Sequence, residues 1–173
     1  MHNKYEAIGD YEYKIIEAYI NKPEVTQWYV EAFKSFNVNG VDIGKWRWSW
    51  WAFFGSIFFL LYRKAYMPAG VLALMLIIAW FIPFGWLILW ILSGGYSTYF
   101  VYKSYKEKRL EVEAEIEDED KRIETMRILG GTNEWAIILG VLVQFFFWIG
   151  GVLMFGAILT FLSMLGLAIG SAN

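Results

Sequence analysis

No group of residues in this sequence has the types and spacing of a familiar catalytic or metal site. The sequence has no cysteine and a single histidine, His2, which leaves too few ligands or nucleophiles for the common zinc, haem and thiol sites. It also lacks the hydrolase motif GxSxG, the metalloprotease motif HExxH and a glycine-rich phosphate loop. We therefore expect no catalytic residue, no metal ligand and no cofactor, and we expect a protein that is not an enzyme.

Arg63 and Lys64 have the most distinctive setting among the charged residues, because they follow an aromatic run and precede a long apolar stretch. Such a pair could bind a lipid phosphate, pair with an acidic partner, or orient a membrane protein through the excess of cations on its cytoplasmic side. We favour the role in orientation.

The acidic run at residues 111–120, EVEAEIEDED, lacks the central glycine of an EF-hand calcium loop. We interpret this run as the solvated face of a helix. No basic tract has the features of a nucleic-acid site, so we expect no nucleic-acid partner.

Charged and apolar residues are strongly segregated along the chain. Apolar residues make up 58% of the sequence and charged residues only 18%, against about a quarter charged in soluble domains. No charged side chain occurs between Lys64 and Lys103, or after Glu134. A single helix through either gap would be about 57 Å long, whereas the hydrocarbon core of a bilayer is roughly 30 Å thick. Each gap therefore predicts a helical hairpin with two crossings.

The first predicted transmembrane hairpin comprises residues 67–102. Its turn is expected near Pro83, because proline interrupts a helix. The alternative is one kinked crossing at 69–92 followed by a tyrosine-rich surface stretch. The hairpin is favoured because it returns Lys103 to the side of the membrane that holds Arg63.

The second predicted hairpin comprises residues 134–173 and turns near Gly150. Its polar Gln144 is expected to form a hydrogen bond between helices. The second arm carries small residues on one face, and small residues let membrane helices approach closely. They could pack within the same chain or form a contact between copies. The predicted helix-packing residues are Gly156, Thr160, Ser163, Gly166 and Gly170.

Residues 45–66 are rich in aromatic side chains, including four tryptophans, and have basic residues at both flanks. The apolar run at 49–62 would be about 21 Å long as a helix, which is short for a crossing. Tryptophan and tyrosine favour the membrane–water interface. We predict a helix that lies in the cytoplasmic interface, or that dips into the membrane and returns. The expected interface and lipid-contacting residues are Trp46, Trp48, Trp50, Trp51, Tyr62, Arg63 and Lys64.

The remaining segments are predicted to lie outside the membrane. Residues 1–44 form a cytoplasmic or surface region of amphipathic helices, with a helix start at Pro23 and a loop from 37 to 44. Residues 103–133 form a charged cytoplasmic helix and loop. The expected fold is therefore an all-α integral membrane protein with four transmembrane helices as two hairpins, an interfacial aromatic helix and N-terminal amphipathic helices.

Residues 27–66 resemble a bacterial membrane-protein family known as domain of unknown function 2628. That family has an amphipathic helix, a glycine-containing loop and an aromatic signature that ends in LLYRKxY. Ser56 stands where the family has proline, and the aromatic run is one residue shorter. The resemblance implies a bacterial inner-membrane location and supplies no activity or substrate. The matching residues are Tyr29, Phe33, Phe36, Trp50, Ala52, Phe53, Phe54, Gly55, Leu60, Leu61, Tyr62, Arg63, Lys64 and Tyr66.

Together these features predict a small, non-enzymatic bacterial inner-membrane protein with a cytoplasmic N-terminus. We expect it to act as a scaffold, accessory subunit or adaptor, with the lipid bilayer and other membrane proteins or a second copy as its partners. The alternative is a small oligomeric channel or carrier. The absence of ionisable residues from both apolar stretches weighs against that alternative, because transport sites usually contain them.

Overall fold

The computed structural model describes residues 9–170, without the side chains of Gln144, Phe147, Trp148 and residues 165–170. The described chain is mostly helical, as predicted. It divides after Ile137 into two compact units, here called the N-terminal and C-terminal units. The elements are α1 (Asp10–Ile20), α2 (Pro23–Phe36), β1 (Asn37–Val38), β2 (Val41–Asp42), α3 (Trp50–Gly55), α4 (Ile57–Tyr62), α5 (Tyr66–Ala79), α6 (Gly85–Glu115), α7 (Glu119–Leu129) and α8 (Glu134–Gly170).

Part of the core of the N-terminal unit lies among α1, α2, α7 and the second half of α6, which we call the head, and the same core continues to Ala52 of α3, Leu60 of α4 and Ala69 of α5. Helix α1 packs on α2 and α7, and both of these pack on α6. The predicted amphipathic stripe of α2 faces this core, where Phe33 and Tyr105 stack with ring centroids 5.1 Å apart. The largest side chains that are fully buried include Ile15, Ile16, Tyr19, Ile20, Phe36 and Met126.

The predicted loop after α2 contains a short β-hairpin. Strands β1 and β2 pair in the antiparallel sense, with Asn37 opposite Asp42. Asn39 and Gly40, at its turn, have positive φ angles of 54° and 83°, as the Asn-Gly sequence of a type I′ turn requires. The strands have two residues each, too few for an alternating pattern to reveal them.

Two short helices and an extended lead replace the single interfacial helix predicted for residues 45–66. Residues 43–49 are not helical. Helices α3 and α4 are separated at Ser56, which has a φ of 45° and a ψ of −117°. These angles lie far from the helical region, so the helix cannot continue through this residue.

Helices α5 and α6 pack together as a hairpin whose turn, residues 80–84, contains Pro83, near which a turn was predicted. Gly85 is required there, because a Cβ atom at this position would lie 2.7 Å from the carbonyl oxygen of Ala79. Beyond the turn, α6 continues for 31 residues to Glu115. The predicted boundary between residues 102 and 103 is therefore not a break in the backbone.

Helix α8, most of which makes up the C-terminal unit, is one continuous helix of 37 residues. The hairpin predicted for residues 134–173 is wrong in this respect, because the helix does not turn at Gly150. A glycine inside a helix costs only about 1 kcal/mol relative to alanine, and no proline lies nearby to interrupt the hydrogen bonds. Residues 171–173 lie outside the described range.

Among the described residues, one stretch is long and apolar enough to be a candidate membrane span, against the four crossings predicted. This stretch, Glu119–Val143, includes the break at 130–133 between α7 and α8. Helix Tyr66–Ala79 and the segment Ile149–Met164 are apolar but shorter. Helix length and composition therefore support a membrane segment without showing a multi-pass arrangement.

Asp42 holds the β-hairpin against α6. Its carboxylate accepts hydrogen bonds from the hydroxyl of Tyr102 and the ammonium of Lys106, each at 2.7 Å, and lies 3.5 Å from Lys103. The bond from Lys106 is the main reason that the pKa of Asp42 lies below its usual value of 3.8; Tyr102 and Lys103 lower it further, although burial opposes the shift. Tyr102 has the converse shift, because burial and then Asp42 raise its pKa to about 12.

We expect Asp42→Asn to lower the free energy of unfolding by about 1–2 kcal/mol at neutral pH, because it weakens charge-assisted hydrogen bonds. A carboxyl with a lowered folded-state pKa stabilises the fold above its unfolded pKa, and this contribution is lost as the pH falls through the folded value. The difference from the wild type should therefore shrink below about pH 4. Thermal unfolding followed by circular dichroism across this range measures it. Glu115→Gln, which changes an exposed acid at the end of α6, is the control, and an equal loss in both variants would contradict the assignment.

Candidate functional site

A patch of small residues on α6 receives the aromatic segment, which we define as residues 46–54. Trp46 and Trp48 lie directly over Gly95 and Gly94. A Cβ atom on Gly95 would be 2.5 Å from the ring of Trp46, and one on Gly94 would be 2.8 Å from the ring of Trp48. Only glycine leaves room for both rings. The small-residue patch comprises Ser93, Gly94, Gly95, Ser97 and Thr98, all of which are buried.

Backbone hydrogen bonds hold the aromatic segment to the same patch. The N–H of Arg47 donates to the carbonyl oxygen of Gly95, and the N–H of Ser49 donates to that of Gly94, each at 2.9 Å. Bonding of this kind to alternate residues suits an extended strand. The lead into α3 is therefore extended because it runs against an exposed stretch of helix backbone.

The hydroxyl groups of the patch bond the segment and one another. Ser93 donates to the carbonyl oxygen of Ala52 at 3.3 Å, and its oxygen lies 3.1 Å from that of Ser97. Thr98 is fully buried, and its hydroxyl has no partner among the described residues. Ser93 therefore bonds the backbone of α3 directly, and Ser97 lies beside it.

The aromatic segment has an inner face on α6 and an uncovered outer face. On the inner face Phe53 stacks on Trp90, with ring centroids 5.5 Å apart and an angle of 11° between the planes. On the outer face Trp50, Trp51 and Phe54 are 62%, 84% and 67% exposed. Large contiguous apolar surfaces of this kind indicate contact with a membrane or another protein.

The carbonyl ends of α1, α4 and α7 meet at a cluster of three cations, which we call the basic junction: Arg63, Lys64 and Lys108. Arg63 donates to the carbonyl oxygen of Ile20 at 3.3 Å, at the end of α1. Lys64 donates to Ile128 at 3.3 Å, at the end of α7. These cations offset the partial negative charge of the helix ends.

Lys108 links the junction to α6. Its ammonium donates to the carbonyl oxygens of Lys64 at 3.2 Å and Leu129 at 3.1 Å. Partial burial is the main cause of its lowered pKa, and the charge of Lys64 lowers it further. Two backbone bonds complete the junction: Gly131 donates to Tyr19 at 2.7 Å, and Asn133 donates to Tyr62 at 2.8 Å.

Arg63 is the most deeply buried cation of the junction, with only 6% of its surface exposed. Its guanidinium lies over two aromatic rings, 4.6 Å from the centroid of Tyr29 and 5.4 Å from that of Tyr62. Its Nε has no partner among the described residues. Burial raises the pKa of Tyr29, and the neighbouring guanidinium opposes that shift. Tyr29 therefore remains neutral, and cation–π attraction and the bond to Ile20 hold the guanidinium.

The structure separates the predicted interface residues into two groups. Trp46, Trp50 and Trp51 are exposed, although the ring of Trp46 also lies against Gly95, and Trp48 is partly buried against α6. The other three residues, Tyr62, Arg63 and Lys64, belong to the basic junction, and Arg63 is too buried to contact lipid. Sequence reasoning missed Lys108 and the two glycines of the patch, although the run Ser93–Gly94–Gly95 with Ser97 and Thr98 signals a close approach.

The predicted helix-packing residues lie on α8. Thr160 donates to the carbonyl oxygen of Gly156 at 2.9 Å, and Ser163 donates to that of Thr160 at 2.7 Å, so both hydroxyls bond within their own helix. A Cβ atom added to Gly156 would have no neighbour within 4 Å among the described residues. The surroundings of Gly166 and Gly170, and the side chain of Gln144, lie outside the described residues.

Comparison with known protein families, curated proteins and solved structures finds no match to this chain. The resemblance of residues 27–66 to the bacterial family of unknown function therefore stays a prediction.

We expect Gly95→Leu to displace the aromatic segment, because its side chain would occupy the position of the Trp46 ring. Overpacking of this kind typically costs about 1–3 kcal/mol. Unfolding midpoints in detergent and proteolytic cleavage within residues 43–49 measure the loss. Gly70→Leu is the matched control, because Gly70 lies in α5 with open space around its Cα. Equal stability of the two variants would refute the close approach.

We expect Arg63→Met to lower the free energy of unfolding by about 2–4 kcal/mol, through loss of the ring contacts and of the bond to a buried carbonyl. Arg63→Lys should lose less, since it retains the charge without the planar guanidinium. The control is Arg127→Met, because Arg127 is exposed and its ion pair is with Glu124 on the same helix. Chemical denaturation measures all three, and a ranking in which Arg127→Met costs as much as Arg63→Met would show that the junction is not stabilising.

Proposed function

We propose that the protein is a non-enzymatic scaffold or adaptor of a bacterial inner membrane, with the hairpin of α5 and α6 and the helix α8 in the lipid and the head in the cytoplasm. The family resemblance of residues 27–66 supports the bacterial location. The single observation that carries the proposal is the contrast in exposure between the head and the hairpin.

In the head, most large apolar side chains are buried and most charged ones face outward, although Leu110 and Ile128 are 58% and 68% exposed. In the hairpin the pattern is reversed, since nearly every exposed side chain is apolar or aromatic. The exposed fractions reach 64% at Ile77, 72% at Trp80 and 84% at Phe81. Water would penalise such a surface by about 25 cal/mol for each Å². A lipid environment removes this penalty.

The positions of the lysine and arginine residues at the two ends of the hairpin support a cytoplasmic head. Arg63 and Lys64 precede α5, and Lys103 and Lys106 follow the apolar half of α6. Both arms of the hairpin therefore end in basic residues on the same side. Short loops and helix ends with an excess of lysine and arginine favour the cytoplasmic face.

The head also offers a cleft for a protein partner. The cleft has a volume of about 500 Å³ and lies between α1, α7 and the start of α2. Lys14, Lys22 and Arg127 line it together with Glu17. Lys14 pairs with Asp10 and Arg127 with Glu124, so Lys22 is the cation of the lining that would attract an acidic segment of a partner protein, because complementary charge guides association.

The test places a photo-crosslinking residue at Lys22, in the cleft, and at Lys34, exposed on α2 outside it. After crosslinking in intact bacterial membranes, we expect a discrete adduct at position 22 and none at position 34. Adducts at neither position, from a chain that purifies as a lone monomer, would contradict the adaptor. Solute flux through reconstituted liposomes would favour the channel, and release of the chain by an alkaline carbonate wash would contradict the membrane location.

A further inference from the structure

The aromatic segment crosses α6 about halfway along its apolar part. Its backbone bonds reach Gly94 and Gly95, which lie nine and ten residues after Gly85, where the helix starts. The first charged residue of α6, Lys103, lies eight or nine residues further on. At 1.5 Å per residue, the segment is about 14 Å from the turn of the hairpin and about 13 Å from the first charge.

Cations beside the aromatic segment restrict its depth in a bilayer. Lys45 and Arg47 flank Trp46, and Lys45 is exposed. The guanidinium of Arg47 lies 5.1 Å from the ring centroid of Trp28, so it is directed toward α2 of the head. If the hairpin spanned the bilayer from Lys103 to its turn, both cations would lie near the midplane. Each would then cost about 2.5–3.5 kcal/mol on insertion scales.

The cost disappears if the aromatic segment itself lies at the membrane surface. The number of exposed apolar side chains on α6 changes at Gly94 and Gly95, where the aromatic segment crosses the helix. Toward the turn, its exposed apolar side chains are numerous; toward Lys103, the only large one is Phe100, at 38%. The exposed residues on the turn side are Trp86, Leu87, Ile88, Ile91 and Leu92.

With the segment at the surface, the turn lies about 14 Å deeper, which is half of a hydrocarbon core roughly 30 Å thick. The turn suits this depth. Residues 80–86, WFIPFGW, carry no polar side chain apart from the indole N–H groups. The backbone N–H groups of Trp80, Phe81, Ile82 and Gly85 donate to carbonyls of residues 76–82, and Pro83 has none; the N–H groups of Phe84, Trp86 and Leu87 have no backbone acceptor among the described residues. Backbone groups inside hydrocarbon must be satisfied internally, as the first four of these are.

We propose that the hairpin of α5 and α6 is re-entrant: it enters one leaflet, turns near the bilayer midplane and leaves on the same side, while the aromatic segment lies in the headgroup region of that leaflet. The partner of this surface is the acyl-chain layer of a single leaflet. The inference rests on the proposed membrane location and replaces the two crossings predicted for residues 67–102.

Spin labels on single cysteines test the depth, and the cysteine-free chain makes the labelling specific. The variants are Ile82→Cys at the turn, Trp51→Cys on the outer face of the aromatic segment and Glu115→Cys in the head, each reconstituted in vesicles of phosphatidylethanolamine and phosphatidylglycerol. Depth is read from the ratio of collisions with oxygen, which concentrates in the hydrocarbon, to collisions with a water-soluble nickel chelate. We expect the ratio to be largest at position 82, intermediate at 51 and smallest at 115.

Phe84→Cys provides a second label at the turn, in case Ile82→Cys does not fold. If the chelate reaches either turn label from the face of the vesicle opposite the head, the hairpin crosses the bilayer and the re-entrant arrangement is overturned. If all the labels are equally accessible to the chelate from the side of the head, the chain is not in the membrane and the proposed function itself fails. If the chelate reaches the turn labels from neither face of the vesicle, the proposal is supported.

Discussion

The close approach of the aromatic segment to α6 is the constraint on which the rest of the N-terminal unit depends. Two successive glycines, Gly94 and Gly95, leave the helix backbone bare, so that its carbonyl oxygens accept hydrogen bonds from another stretch of chain. That stretch must be extended to reach both of them. Helix α3 can begin only after it, with Ala52 and Phe53 turned toward α6 and Trp50 and Trp51 turned away. The uncovered aromatic face is thus a consequence of the glycines.

The basic junction solves a second problem, which arises from helix direction. Helices α1, α4 and α7 end at one place, and each end presents carbonyl groups without intrahelical partners. Arg63, Lys64 and Lys108 occupy that place and donate to those carbonyls. The junction joins the first helices of the head to the start of the apolar hairpin, although Ile20, Arg63 and Leu129 are far apart in the sequence. A movement of the head relative to the hairpin would have to break these bonds.

Some breaks in the helices followed from single residues, and others did not. The turn next to Pro83 was predictable because proline lacks the N–H that a helix needs. A turn at Gly150 was predicted because the second apolar stretch is about as long as the first. That prediction is wrong, because glycine only weakens a helix and α8 continues through it. The break at Ser56 has no signal in the residue type, since serine rarely adopts a positive φ. There the packing of α3 on α6 and of α4 on α5 decides the backbone angle.

The sequence by itself determined the separation of the chain into a charged, helical head and long apolar stretches, because hydrophobic burial and charge solvation depend mainly on composition and spacing. It also determined the buried stripe of α2 and the aromatic character of residues 45–66. Only the tertiary structure decided what the individual residues of that region do. Arg63 looked like a surface cation from its neighbours in sequence, yet it is buried because the carbonyl end of α1 and the ring of Tyr29 surround it. Contacts of this kind join residues more than 30 positions apart, and no local pattern records them.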